Sequence, residues 1–531
     1  MTAVFPAGGQ RGTKVAVTCS GTFEWPVQVW TPGVETTLAA DSGKLEISVP
    51  PDLPADRAWI RLYNAEGASA AVPFLIDSLE ELTEQEPNNA LEQAQPLPSP
   101  QAIVNGVLTP SGDVDGFAVS LEAGQTLVAA LAANSRLGSP MDAILQVATP
   151  EGFVVAENHD AVGLDPRLAF TAPRTGTYIA RVFAFPSDPN QTIAFAGAET
   201  YIYRLTLTTG PYITSTAPLA VSDQDPGAVG ALGWNLPENT QLPVHVYGGA
   251  ALAAQPEYEP FGRRVPPDSR LGLIFDPGYA GSGRVRLVPY PVPRTVASGD
   301  PDSSQVFTPP TSLTGVLRQS GETDVYDFAL TQGQPLVIAA ATDSIDSPAV
   351  PVMRLFKPDG SLAAETGDPG TNKETELTFV AAEDGVHRLQ LHDRYRHGSD
   401  WHVYRLSVFV EQPDFDLSVT SDTVTVSPDK PAEIEVSVER RAPAGMALGP
   451  ISLSVADLPD GITSAPVVSE PEGDSAKKVK LSITSTGSGF SGPIRIVGEA
   501  HEPRELQRTA RTPPRFGSSL DRIWLTAVAA P

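Results

Sequence analysis

One stretch of this chain is written twice. Gly106-Val107-Leu108, Gly112-Asp113-Val114-Asp115-Gly116-Phe117 and Gly124-Gln125 return as Gly315-Val316-Leu317, Gly321-Glu322-Thr323-Asp324-Val325-Tyr326 and Gly333-Gln334, each 209 residues on (315 − 106). After the loss of one residue the offset is 208 for Ser139-Pro140 and Ser347-Pro348, and for Thr149-Pro150-Glu151-Gly152 and Lys357-Pro358-Asp359-Gly360. It is 209 again for Phe170 and Gly176 against Phe379 and Gly385, and the match closes on Tyr203-Arg204-Leu205 and Tyr404-Arg405-Leu406. A period this long marks a duplicated domain, since solenoid repeats recur every 20–50 residues or so.

Both copies carry the period of a strand. In Tyr201-Ile202-Tyr203-Arg204-Leu205-Thr206-Leu207 every second side chain is apolar, and Tyr404, Leu406, Val408 and Val410 repeat the alternation. Pro-Glu-Gly and Pro-Asp-Gly punctuate such runs, proline fixing φ and glycine supplying a positive one. Gly 45 and Pro 52 among 531 residues exclude long helices, while 41% hydrophobic and 19% charged residues exclude a disordered chain. The expected fold class is all-β, a tandem array of β-sandwiches. The boundaries expected are 1–78 for a small sandwich, 79–210 for the first repeat, 211–295 for a second small immunoglobulin-like sandwich, 296–412 for the second repeat and 413–531 for a terminal immunoglobulin-like module. The last rests on the alternating runs Ile434/Val436/Val438, Ile451/Leu453/Val455 and Val479/Leu481/Ile483.

Charge and cysteine content narrow the partners. With 36 Lys+Arg against 63 Asp+Glu the net charge is −27, and no basic block offers a track for a phosphate backbone, so nucleic acid is excluded as a main partner. The single thiol, Cys19, forms no internal disulfide, and the alternation Val15, Val17, Cys19 places it on the apolar face of a strand. Apolar runs such as 127–133 are far shorter than the roughly 20 residues of a membrane-spanning helix, so no membrane insertion is expected. The first residues, Met1-Thr2-Ala3-Val4-Phe5-Pro6, lack the basic and apolar regions of a signal peptide.

Glu84-Gln85-Glu86-Pro87-Asn88-Asn89, the Gly112-to-Phe117 turn, Gly176-Thr177-Tyr178 and the closing Tyr203-Arg204-Leu205 together resemble the bacterial pre-peptidase C-terminal (PPC) domain. The resemblance covers 79–210 well and 296–412 more loosely, because the second copy has Asp300-Pro301-Asp302-Ser303 in place of Glu86-Pro87-Asn88-Asn89 and Glu322 in place of Asp113. Residues 1–78 resemble the IPT/TIG class of immunoglobulin-like modules through Pro6-Ala7-Gly8-Gly9-Gln10-Arg11-Gly12-Thr13. The resemblance implies jelly-roll-like sandwiches in exported bacterial proteins, hence a secreted, periplasmic or cell-surface location and a non-catalytic role. It also implies that a signal sequence lies upstream of this start or that the chain is a fragment.

The candidate site is acidic. Glu84, Glu86 and Asn88 alternate, so an extended segment aims all three the same way, and Asp113 and Asp115 repeat that spacing in a turn. Hard oxygens of this kind suit calcium, and in collagen-binding members of the resembled family the matching segment holds it. The opposing reading gives the same residues capping and turn hydrogen bonds. His387, His392, His397 and His402 crowd together near Asp393 and Asp400, but His387 and His402 fall where the first copy has Tyr178 and Tyr201, which makes them replacements of packing aromatics rather than zinc ligands. His501-Glu502-Pro503-Arg504-Glu505 fails the HExxH pattern, and no GxSxG elbow occurs, so no catalytic residue is assigned. Trp25, Trp30, Trp59, Trp234, Trp401 and Trp524 are scattered and read as core packing. The expected function is a non-catalytic accessory or structural array, with two alternatives: a module array that binds a polymer, protein or polysaccharide, or the detached tail of a secreted peptidase. Its expected partners are an extracellular polymer or a cell-surface protein. Its expected shape is a monomeric rod well over 100 Å long if each sandwich spans roughly 30–40 Å.

Overall fold

A computed structural model of the chain describes residues 1–188, 194–246, 265–266, 268–293, 305–367, 374–516 and 519–530. Strands dominate it, and their apolar faces collect into five principal cores, lying within residues 4–76, 104–207, 213–287, 313–408 and 415–527. Each core lies between two sheets. No helix among the described residues is long and apolar enough to cross a membrane.

The two repeats share a topology. In the first, one sheet runs Gln95–Pro96, Asp115–Leu121, Gly176–Pro186, Met141–Ala148, Val154–Asn158; in the second, the same order is Val306–Phe307, Thr323–Leu330, Gly385–Asp393, Pro351–Phe356, Leu362–Glu365. The facing sheet of the first repeat runs Arg167–Thr171, Thr126–Ala132, Ile202–Thr208, Gln101–Val107, Glu81–Thr83. Its counterpart has, among the described residues, Thr375–Val380, Pro335–Ala341, Val403–Val410 and Thr311–Val316. The additional strand, Glu81–Thr83, pairs in parallel with Gln101–Val107 and delivers Glu84 to the sandwich edge.

The tryptophans correct the expectation of core packing. Trp25 lies against Phe23 in its own module, but Trp30 and Tyr63 of the first module pack on Trp524 of the last, with ring centroids 5.8 and 4.6 Å apart. Trp59 lies 6.1 Å from Phe516, and Trp234 lies 4.2 Å from Trp401 across the third and fourth modules. These rings join modules.

The extended rod is likewise corrected. The strand Arg57–Tyr63 is buried on both faces: Ala58, Ile60 and Leu62 enter the core of the first module, while Arg57, Trp59 and Arg61 face the fifth. Arg61 pairs with Asp422 at 2.7 Å, and Arg57 donates to the carbonyl of Phe516 at 2.8 Å. Asp56, beside them, takes Arg136 of the second module at 2.5 Å and Arg284 of the third at 2.6 Å. The first module therefore touches the second, third and fifth, because its outward strand face carries side chains that a free surface would not bury.

Candidate metal centre

In each repeat a tyrosine from the last strand reaches across the sandwich to an aspartate. Tyr203 is fully buried and its hydroxyl donates to Asp115; Tyr404 does the same to Asp324, at the position 209 residues on. Glycine makes room for the ring: a Cβ on Gly106 would sit 2.2 Å from the Tyr203 ring, and one on Gly315 would sit 2.1 Å from that of Tyr404.

Around this shared latch the first repeat gathers oxygens. Glu84 Oε1 accepts the Val107 amide at 2.7 Å, and Oε2 lies 3.0 Å from the Tyr203 hydroxyl oxygen. Glu86 Oε2 accepts the Asn88 amide at 2.9 Å. Glu84, Glu86 and Asp115 each present a carboxylate oxygen within 4.8 Å of the others, the only such acidic or histidine group among the described residues. Asp115 Oδ1 and both polar atoms of the Asn88 side chain are buried without a hydrogen-bond partner. Asn88 is held there by its carbonyl, which accepts the Gly116 amide at 3.2 Å.

Asp113 departs from the expected ligand set. Its Oδ1 accepts the Asn89 side chain at 2.7 Å and the Val114 amide at 3.0 Å, and its Oδ2 accepts the Thr109 amide at 2.7 Å. These bonds fix the turn, and Asp113 lies outside the group of three carboxylates that stand within 4.8 Å of one another.

Burial pushes both Asp115 and Glu84 above the usual carboxylate range, and for Asp115 the nearby Glu84 charge adds to the effect. A buried carboxylate pair with no cation beside it keeps a proton. The donor set fits a hard cation: calcium takes oxygens at about 2.3–2.6 Å, so two ligands of one ion stand no farther apart than about twice that distance. Glu84, Glu86, Asp115 and the amide oxygen of Asn88 would hold it.

Among the described residues the second repeat shows no equivalent. Val325 stands at the position of Gly116, where a Cβ would lie 2.9 Å from the Asn88 carbonyl. Tyr326, in place of Phe117, brings its hydroxyl within 2.6 Å of the Tyr404 hydroxyl. Asp300, Asp302 and Ser303, the weaker counterparts of the Glu86 segment, lie outside the described residues.

The histidine stretch is built as packing and loop structure. His387 is fully buried 5.6 Å from Phe379, repeating the Phe170–Tyr178 contact of 5.0 Å in the first copy. His402 accepts from or donates to Ser399 Oγ at 2.7 Å. Sequence reasoning did not find Tyr203, Gly106 or Gly116 as parts of the acidic site, although Tyr203 and Gly106 both recur in the second copy, as Tyr404 and Gly315.

No family profile matches the chain, and no curated protein matches it significantly. Among solved structures, the pre-peptidase C-terminal domain of a Bacillus anthracis collagenase is 22% identical over 20% of this chain and 97% of its own, with a TM-score of 0.17. Fibronectin(III)-like modules of Clostridium thermocellum CbhA are 9% identical over 43% of this chain and 93% of theirs, TM-score 0.14. The major pilin subunit BcpA of Bacillus cereus is 10% identical over 39% and 69%, TM-score 0.16. At these scores none of the three assigns this chain a family or an activity.

Proposed function

We propose that the chain is a non-catalytic, extracytoplasmic accessory protein, an array of sandwiches in which the two repeats are pre-peptidase C-terminal-like modules and the first of them binds calcium. One observation carries the calcium reading: the carboxylates of Glu84, Glu86 and Asp115 converge, and Asp115 keeps a buried oxygen that has no hydrogen-bond partner. Such oxygens are costly to bury unless something pairs with them. The bound ion would tie the 84–89 segment to the turn that begins at Asp113, and so fix the additional strand on the sheet edge. Its role is structural, and the partner is an extracellular polymer or a cell-surface protein.

Calorimetry on the EDTA-stripped full chain tests the site. Calcium is expected to give one binding event and to raise the melting temperature, and both are expected to vanish in Asp115→Asn. No heat of binding, together with a melting temperature indifferent to EDTA, would remove calcium from the reading. Fractionation of the native host addresses the location, and recovery in the cytoplasm would overturn it.

A further inference from the structure

The loop that follows Gly385–Asp393 departs from the chain's acidic balance. Over residues 394–402 it places Arg394 and Arg396, with His397 and His402, against Asp400 alone, in a protein with 36 basic and 63 acidic residues. Arg394, Tyr395, Arg396 and His397 are consecutive and exposed, Tyr395 at 63%. Arg318, on the adjacent turn, adds a further guanidinium 3.7 Å from Asp400.

This display is held in place. Buried Asp393 accepts the Val350 amide through Oδ2 at 2.8 Å, and the Tyr395 and His397 amides through Oδ1 at 2.9 Å each. The Arg396 carbonyl accepts the Gly321 amide at 3.0 Å and the Ser320 hydroxyl at 2.9 Å. Arg396 itself has φ of +61°, a strained conformation for a residue with a Cβ, kept because the surrounding bonds over-determine it. The first repeat docks its corresponding loop through the same device, since a Cβ on Gly197 would lie 2.5 Å from the Pro110 carbonyl and one on Gly398 would lie 2.2 Å from that of Gln319. There, however, Ala184 replaces Asp393, and Phe195 packs on Phe183 and Phe185 at 4.7 and 5.6 Å. The framework is shared and what it displays is not.

We propose that loop 394–397 is a recognition site for an anionic polysaccharide, a sugar polymer bearing carboxylate or sulfate groups. The Tyr395 ring offers a flat apolar platform to the face of a sugar. The flanking guanidiniums suit planar or tetrahedral oxyanions, which they bind in a forked geometry. Because the loop is already ordered, little conformational entropy is lost on binding. A nucleic acid gains affinity by many phosphate contacts, and a chain with a net charge of −27 provides few. The site uses none of the calcium-site residues and goes beyond the accessory role proposed above.

Affinity electrophoresis of the full chain in gels containing polygalacturonate, dextran sulfate or neutral dextran tests this, with a DNA duplex titrated in parallel. The two acidic polymers are expected to retard the protein, less so as salt rises, and neutral dextran is not. Tyr395→Ala and Arg396→Gly, the latter chosen because glycine accepts the positive φ, are each expected to weaken retardation by about fivefold or more, as for a central contact, with the melting temperature unchanged. EDTA is expected to leave retardation intact, which separates this site from the calcium centre. Absence of retardation, equal retardation by neutral dextran, or parental binding by both variants would overturn the proposal. DNA bound as tightly as the acidic polymers would overturn its commitment to sugars.

Discussion

Each repeat buries an aspartate under a tyrosine hydroxyl, and the two copies resolve the cost differently. In the second copy, burial raises Asp324 to about 6, with Glu322 adding to the rise and the Tyr404 hydroxyl and Arg318 opposing it. The folded state thus prefers the protonated acid. The resulting stabilisation is fully present below the ordinary aspartate value, about 4, and is lost as pH rises through 6. The span of about two units is worth roughly 3 kcal/mol. Thermal melts between pH 4 and 8 should show the transition of this repeat weakening across that window, and Asp324→Asn should flatten the dependence; a variant that keeps the parental slope would assign it elsewhere. In the first copy the raised Asp115 has the same sign, but calcium would take the place of the proton. Asp115→Asn is therefore expected to raise the melting temperature of the EDTA-treated chain at pH 8 while abolishing the response to calcium. Tyr203→Phe, which leaves a buried carboxylate without its donor, should cost about 1–3 kcal/mol, measurable by denaturant unfolding.

At the scale of strands and turns, the described residues of the two repeats differ around the acidic site in one turn and one additional strand. Gly116 lets the Asn88 carbonyl approach, and Val325 closes the same place in the second copy. Gly116→Val should accordingly eliminate calcium binding in calorimetry while the β-sheet circular dichroism persists; retained binding would mean that the 84–89 segment docks without this contact. The alternation of Tyr201, Tyr203, Leu205 and Leu207 was legible because a half-buried strand must show period two. Glu84, Glu86 and Asp115 were legible as oxygen-rich spacing. Asp113 was grouped with them because a carboxylate that caps a turn and one that binds a cation occupy the same kind of local sequence. What separates them is the count of amides within reach, and that is settled by the fold. Tyr203 meets Asp115 across 88 residues, a distance over which strand periodicity carries no information.

At the scale of the molecule, the sequence led to a line of modules, and the structure closes them around the first. A signal for this was present in Arg57-Ala58-Trp59-Ile60-Arg61-Leu62, where the outward positions hold two of only 36 basic residues and a tryptophan, side chains large enough to cover a neighbour. Local patterning shows that such a face is unlike ordinary solvated strand surface but not which module covers it, since Arg61 and Asp422 are 361 residues apart. Removing one partner of a buried ion pair leaves the other uncompensated, at about 3–5 kcal/mol, and Trp524 packs on both Trp30 and Tyr63 beside it. Because Asp422 and Trp524 belong to the fifth module, whose own core contains 23 buried residues within 415–527, opening this junction need not unfold either partner. Arg61→Ala combined with Asp422→Ala removes both charges and leaves no orphan, so it isolates the junction from the burial penalty. Small-angle scattering reads the result. A single globule of this length has a radius of gyration near 24 Å, whereas five modules of roughly 35 Å in line give about 50 Å. The parent chain should lie nearer the first figure, and the double variant should move toward the second with its sandwich melting transitions retained. A parent chain that scatters as a rod would show that the first and fifth modules do not meet in solution.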